Sequence, residues 1–229
     1  LMLLCALRQR YFLMKMAGRF IMILCDIGNS NADFYQDGRV WSLSHKQFKD
    51  FTIKETVYYI CVNDTLKHWL QGKSNFIDLE PYFEFDTIYQ GMGIDRIAAC
   101  STIEDGMIVD AGSAITVDIM SGGMHLGGFI LPGLAAYEKC YASISPRLSL
   151  PINPSIALDA LPQKTNDAIS YGVVKSILLL LEATCKDKRI FFLGGDGKFF
   201  SKFFSNAIFD RTLIFRGMLK TIKETQLEH

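Results

Sequence analysis

One seven-residue plan occurs twice in this chain. Leu24-Cys25-Asp26-Ile27-Gly28-Asn29-Ser30 and Ile108-Val109-Asp110-Ala111-Gly112-Ser113-Ala114 are each an apolar strand, then Asp-x-Gly, then a small polar residue. Each is followed by another strand-like segment, and the two aspartates lie 84 positions apart. That period is too long for a solenoid; it suits a fold built twice, with a cleft between the halves. Glycine lets backbone N–H groups approach an anion, while Asn and Ser add side-chain hydrogen bonds. An aspartate at a strand end can hold a cation directly or through water. Two readings stand at this point: a pair of phosphate-handling loops, or two ordinary β-turns.

Strands and helices are spread around the repeats. Ile21–Asp26 reads as the first strand and Ala32–Gln36 as the second, turning at Asp37-Gly38 into Val40–Leu43. Thr56–Asn63 is β-branched and aromatic, as a buried strand would be, and Asp64–Gly72 follows as a helix capped by Asn63 or Asp64. In the second half, Gly106–Asp110, Ile115–Met120 and His125–Leu131 read as strands. Pro146–Pro162 holds four of the six prolines and reads as a loop. Asn166–Cys185 is the longest helical candidate, with Ile169, Val173, Ile177, Leu180 and Leu181 at helical spacing. Its apolar run, Ile177–Leu181, is far short of a membrane span. Arg189–Leu193 reads as a strand entering a third glycine element, Gly194-Gly195-Asp196-Gly197, which can lie against a nucleotide.

Composition narrows the function classes. With 49% hydrophobic and 21% charged residues among 229, the chain is not disordered and can bury a sizeable core. Lys+Arg and Asp+Glu both number 24, so the chain lacks the charge footprint of a general nucleic-acid binder. The six cysteines are scattered with no Cys-x-x-Cys pair, and Cys25 and Cys61 sit in apolar runs, which points to a reduced, cytoplasmic protein. His45, His68 and His125 lack motif context, and His125 is expected on a strand edge or in the core. Residues 1–20 read as an N-terminal extension. Their apolar stretch is too short to span a bilayer, and their positive charge follows it, unlike a secretory signal. Residues 227–229 read as a tag remnant. No membrane association is expected.

Gly91-Met92-Gly93-Ile94-Asp95-Arg96 lies between the repeats. Asp95 can accept a proton from a hydroxyl while Arg96 fixes an anionic group. The alternative is a surface turn opening a helix at Ile94 or Asp95, where a negative charge is favourable. The chain carries no G-x-x-x-x-G-K-[ST] loop and no protein-kinase signature, and its histidines suggest no Ser/His/Asp set.

Six blocks combine into a pattern: DIGNS at 26–30, GIDR at 93–96, VDAGSAITVD at 109–118, GGFILPGL at 127–134, TNDAISYG at 165–172 and LGGD at 193–196. In this order and spacing the chain resembles type III pantothenate kinases from about Ile21 to about Lys220. The resemblance implies an α/β chain with the duplicated ribonuclease-H-like fold of actin-like ATPases. Its subdomains would span 21–105 and 106–226, with a nucleotide cleft between them. It implies ATP-dependent phosphorylation of pantothenate, the first step towards coenzyme A, by a homodimer. Asp26, Ile27, Gly28, Asn29, Ser30, Asn31, Ala32 and Asp33 would form the first phosphate loop, with Asp26 positioning Mg²⁺ through water. Ser113, Gly194 and Gly195 would also meet ATP. Asp95 would be the general base. Tyr89, Gly93, Ile94, Asp95, Arg96 and Thr165 would contact pantothenate, Thr165 from the partner subunit's side. Asp110 would hold a monovalent cation, K⁺ or NH₄⁺. That cation would supply positive charge to a chain with no lysine in a known phosphate motif. Two departures stand out: Ser113 replaces the family's threonine, and few residues separate Val40 from Tyr89. The competing reading is a catalytically inactive, ligand-binding transcriptional accessory protein of the same fold. Acetate, butyrate and sugar kinases are longer and lack GIDR at this place, and an actin-like polymer needs a larger chain.

Overall fold

Two-residue turns close the outer hairpin of each sheet. Asp37 and Gly38 both have positive φ, 47° and 81°, and so do Gly122 and Gly123, 56° and 76°. Such turns match the right-handed twist of the strands they join. The computed structural model describes residues 22–227; the expected N-terminal extension, 1–20, and Glu228 and His229 lie outside the described residues. The chain divides into two compact units, one up to Pro81 and one from Tyr82. The segment Tyr82–Asp105, counted with the first half in the sequence, therefore belongs to the second unit.

The first unit runs β1 (Ile23–Ile27), β2 (Asn31–Gln36), β3 (Arg39–Ser44), α1 (His45–Asp50), β4 (Val57–Cys61), α2 (Asp64–Leu70) and β5 (Phe76–Asp78). The sheet order is β3-β2-β1-β4-β5, antiparallel through β1 and parallel from β1 to β5. Every residue of β4 is buried, as a central parallel strand requires. Ser44 and Gln47 form a capping box on α1, and the Asn63 side chain caps α2. The core is aromatic: Phe34 stacks on Trp41 at 5.3 Å, and Phe48 meets Phe34 and Trp69 edge-on.

The second unit adds α3 (Ile94–Cys100), β6 (Gly106–Ala111), β7 (Ala114–Ser121), β8 (Met124–Pro132), α4 (Leu134–Ile144), α5 (Thr165–Cys185), β9 (Ile190–Leu193), α6 (Gly197–Ser201), β10 (Ala207–Phe209) and α7 (Leu213–Glu224). Its sheet order, β10-β9-β6-β7-β8, is that of the first sheet read backwards: an antiparallel meander, then two parallel strands. The same topology twice is the duplicated ribonuclease-H-like fold of actin-like ATPases. α5 places Val173, Val174, Ile177 and Leu181 in the core against β6, β7 and β9. The short apolar run understated this helix, which by length and composition alone could cross a membrane. Its buried residues form the centre of the second core. α7 lies tightly on α3: a Cβ at Gly217 would stand 2.0 Å from the Ala98 carbonyl oxygen. The described cysteines, Cys25, Cys61, Cys100, Cys140 and Cys185, are unbridged thiols.

Candidate active site

The expected site residues lie in both units. In the first, Asp26 near the end of β1 stands directly opposite Asp33 on antiparallel β2, so the two side chains share a face. Ile27 and Ala32 are buried on either side of the turn, and Asn29, Ser30 and Asn31 are exposed at it. The Gly28 N–H donates to the Asn31 carbonyl at 3.0 Å, and the His45 ring nitrogen Nε2 lies 3.0 Å from the Gly28 carbonyl oxygen. Ser42 on β3 donates its hydroxyl to Asp33. Opposed carboxylates repel one another across a strand pair. Hard oxygen donors so placed fit a divalent cation, which would offset that repulsion. Burial, then Asp26 and Asp33, push the neighbouring Cys25 thiol well above its usual range, so it stays protonated.

In the second unit the loop after β9 folds onto the second repeat. Asp110 pairs in register with Thr116 on β7 and Leu193 on β9. The Asp196 N–H donates to the Ala111 carbonyl at 2.9 Å, and the Gly133 N–H donates to the Ser113 carbonyl at 3.2 Å. Gly194 has φ +81°, and a Cβ there would stand 2.3 Å from Asp110 Oδ1 and 2.6 Å from the Ala111 carbonyl oxygen. Only glycine closes this cradle. Ser113 and Gly195 are exposed on it. The structure thus joins Asp110, Ser113, Gly194 and Gly195, which the sequence keeps apart. Asp110 brings a carboxylate to this cradle, the kind of oxygen donor a hard cation takes. Burial, then Glu138, raise the Asp196 carboxyl above its ordinary range.

The GIDR block forms the start of α3, with Gly93 as N-cap and Asp95 in the first turn. Asp95 Oδ1 accepts the Arg96 backbone N–H at 2.8 Å. Burial raises this half-buried carboxyl above the usual aspartate range, against the pull of the Arg96 amide and guanidinium. The Arg96 side chain is buried and bonds Asp118: Nε donates to Oδ2 at 2.9 Å and Nη2 to Oδ1 at 2.7 Å. Burial alone would lower the guanidinium's affinity for its proton, but Asp118 and Tyr89 outweigh it and hold Arg96 charged. The guanidinium carbon lies 4.6 Å from the Tyr89 ring centroid. Gly128, opposite Asp118 on β8, makes room for the pair; a Cβ there would stand 2.6 Å from Asp118 Oδ1.

Asp118 and His125 carried no role in the sequence. Asp118 Oδ1 also meets His125 Nε2 at 2.8 Å, and His125 Nδ1 meets Thr87 Oγ1 at 2.7 Å. The available signal was chemical: a carboxylate inside an apolar strand needs a buried cation, and Arg96 is one. Thr165 is exposed at the first turn of α5 and, among the described residues, is not hydrogen-bonded to the Tyr89–Arg96 segment.

Residues 65–187 match the family model of type III pantothenate kinase. A Campylobacter jejuni type III pantothenate kinase is 59% identical over 203 residues, covering 89% of this chain and 97% of that protein. The chain belongs to the type III pantothenate kinase family. A second type III pantothenate kinase, from Wolinella succinogenes, is 50% identical over 204 residues, with 89% of this chain and 97% of that one covered. A crystal structure from Campylobacter jejuni, provisionally described as a Baf family transcriptional activator, superposes with a TM-score of 0.82 at 57% identity. That comparison covers 90% of this chain and 99% of the other. As a type III pantothenate kinase family member, the chain is a phosphotransferase that uses ATP with a divalent metal ion.

Proposed function

We propose that the chain transfers the γ-phosphoryl group of ATP to the primary hydroxyl of pantothenate, opening coenzyme A synthesis. The observation that carries the assignment of roles is the division of labour between neighbours. Arg96 is held by Asp118, so the Asp95 carboxylate is left unpaired with it and able to take a proton. Asp95 takes the hydroxyl proton as the new O–P bond forms, and the bond to the β-phosphate oxygen breaks to release ADP. Arg96 offers its remaining N–H donors to the pantothenate carboxylate, beside Tyr89, Gly93 and Ile94. The loop Asp26–Asp33, with Ser113, Gly194 and Gly195, would hold the ATP phosphates. Asp26 would position Mg²⁺ through water, and Asp110 would take K⁺ or NH₄⁺. The enzyme would act as a homodimer in which Thr165 approaches the partner's pantothenate site; the exposed Leu179 and Leu180 on α5 support that helix as an interface element.

A coupled ADP-release assay with ATP, Mg²⁺ and pantothenate, with and without K⁺, tests the reading. Release that requires both pantothenate and K⁺ is the expected result. No release from folded protein under any of these conditions would favour the transcriptional accessory reading instead.

A further inference from the structure

The segment leading into α3 has a strand-like alternation although, among the described residues, it pairs with no strand. From Phe83 to Gln90, Phe83, Phe85, Thr87 and Tyr89 are half-buried, while Glu84, Asp86, Ile88 and Gln90 are exposed. Three of the inward residues converge on His125. Phe85 and Tyr89 lie against its ring at 5.8 and 5.9 Å between centroids, and Thr87 is hydrogen-bonded to Nδ1. The hydrogen bonds run in one direction. The Tyr89 N–H donates to Thr87 Oγ1 at 3.1 Å, which leaves the Thr87 hydroxyl proton for His125 Nδ1. His125 Nε2 then donates to Asp118 Oδ1, which also accepts from Arg96. Cys100, Asp118 and His125 lie close enough to suggest a metal site, with ligand atoms within 4.8 Å. Yet Arg96 occupies Asp118, and both His125 nitrogens are engaged, so the cluster serves the relay.

We propose that His125 is a positioning residue for pantothenate: it fixes the 85–89 segment through Thr87, and fixes Arg96 through Asp118. This rests on the reading of Tyr89 and Arg96 as pantothenate contacts. His125 itself touches no reacting atom. It orders two substrate-binding side chains, Tyr89 by ring contact and Arg96 through Asp118, which lowers the cost of ordering them on binding.

Steady-state kinetics of the full chain, varying pantothenate and ATP separately, provide the test. His125→Phe keeps a ring for Phe85 and Tyr89 to pack on but removes both hydrogen bonds. It should raise the pantothenate KM about tenfold while the ATP KM and kcat stay within about twofold. His125→Gln, still able to donate to Asp118, should recover part of the loss. Thr87→Val should show the same pattern more weakly, and Thr87→Ser should restore it. Amide exchange at Tyr89 should quicken in the Phe and Val variants. An unchanged pantothenate KM, or pantothenate and ATP KM values raised alike, overturns the proposal. Should His125→Phe not fold, Thr87→Val decides by the same criteria. Arg96→Lys tests the underlying reading separately: an unchanged pantothenate KM there removes Arg96 as the anchor, whatever the His125 variants show.

Discussion

The two units share a sheet order and a turn, and differ in what faces the turn. In both, an aspartate near the end of the first strand opens the Asp-x-Gly turn. In both, the loop glycine has ordinary backbone angles and room for a methyl group. A Cβ on Gly28 would meet only the Asn31 carbonyl oxygen at 3.6 Å; one on Gly112 would meet nothing nearer than Asp110 Oδ1 at 3.6 Å. Neither glycine is demanded by close packing within its own unit, so the proposed approach of a nucleotide is what a methyl there would test. The partners across the strand pair differ: Asp33 opposite Asp26, but Thr116 opposite Asp110. Two opposed carboxylates offer a cation more negative charge than one, so the proposed divalent and monovalent cations are assigned to the first and second repeat respectively. The second unit alone carries α3 and its Asp95. On the proposed reading, a repeated frame would handle phosphate twice, and the acceptor chemistry would be added to one copy.

The most severe way to break this comparison is Asp95→Asn. Loss of a general base should lower kcat by about 10²- to 10⁴-fold with the ATP KM little changed. The asparagine oxygen can still accept the Arg96 N–H. Because burial raises this carboxyl above its unfolded value, its ionised form costs stability above the folded pKa, and that cost disappears as pH falls below the unfolded one. The variant should therefore be at least as stable as the parent at neutral pH by thermal unfolding. By the same sign, the parent's kcat/KM should fall in acid at a higher pH than an ordinary aspartate would give. Wild-type turnover by Asp95→Asn would remove the chemistry from the second unit.

Gly128→Ala comes next. Its Cβ would stand 2.1 Å from the Val117 carbonyl oxygen, 2.6 Å from Asp118 Oδ1 and 2.9 Å from Arg96 Nη2. Overpacking that also disturbs a buried ion pair should cost about 3 kcal/mol in urea unfolding. A cost near zero would mean that the Arg96–Asp118 pair is not held as tightly as the geometry indicates.

What was legible in the sequence follows from the range of each interaction. Strand alternation, the Asp37-Gly38 turn and the Asn63 cap are local, and each is where the residues placed it. α4 is not legible in the sequence because none of its side chains is fully buried, so it carries no sharp apolar stripe. α7 does carry one, through Leu213, Met218 and Ile222, and its pattern was there to be read. The site divides in the same way. Asp95 and Arg96 stand in a local motif, whereas Thr87 and His125 meet across 38 positions, and no periodicity announces a hydrogen bond formed by tertiary packing. Gly194 beside Asp110 is likewise a product of β9 pairing with β6.

The mildest substitutions bear most directly on why the repeat exists. Gly28→Ala and Gly112→Ala each place a methyl where the backbone angle permits it and no atom lies within 3.5 Å. Removing glycine's freedom from the unfolded chain at such a site stabilises a protein by up to about 1 kcal/mol. Stability should therefore hold or rise slightly in thermal unfolding. If both loops lie against phosphate, the same methyls should raise the ATP KM about three- to tenfold, leaving the pantothenate KM nearly unmoved. More stability with weaker ATP binding is a combination that a purely structural glycine cannot produce. An effect confined to Gly28→Ala would show that only the first copy still approaches the nucleotide closely. An unchanged ATP KM in both would reduce the repeat to two ordinary turns.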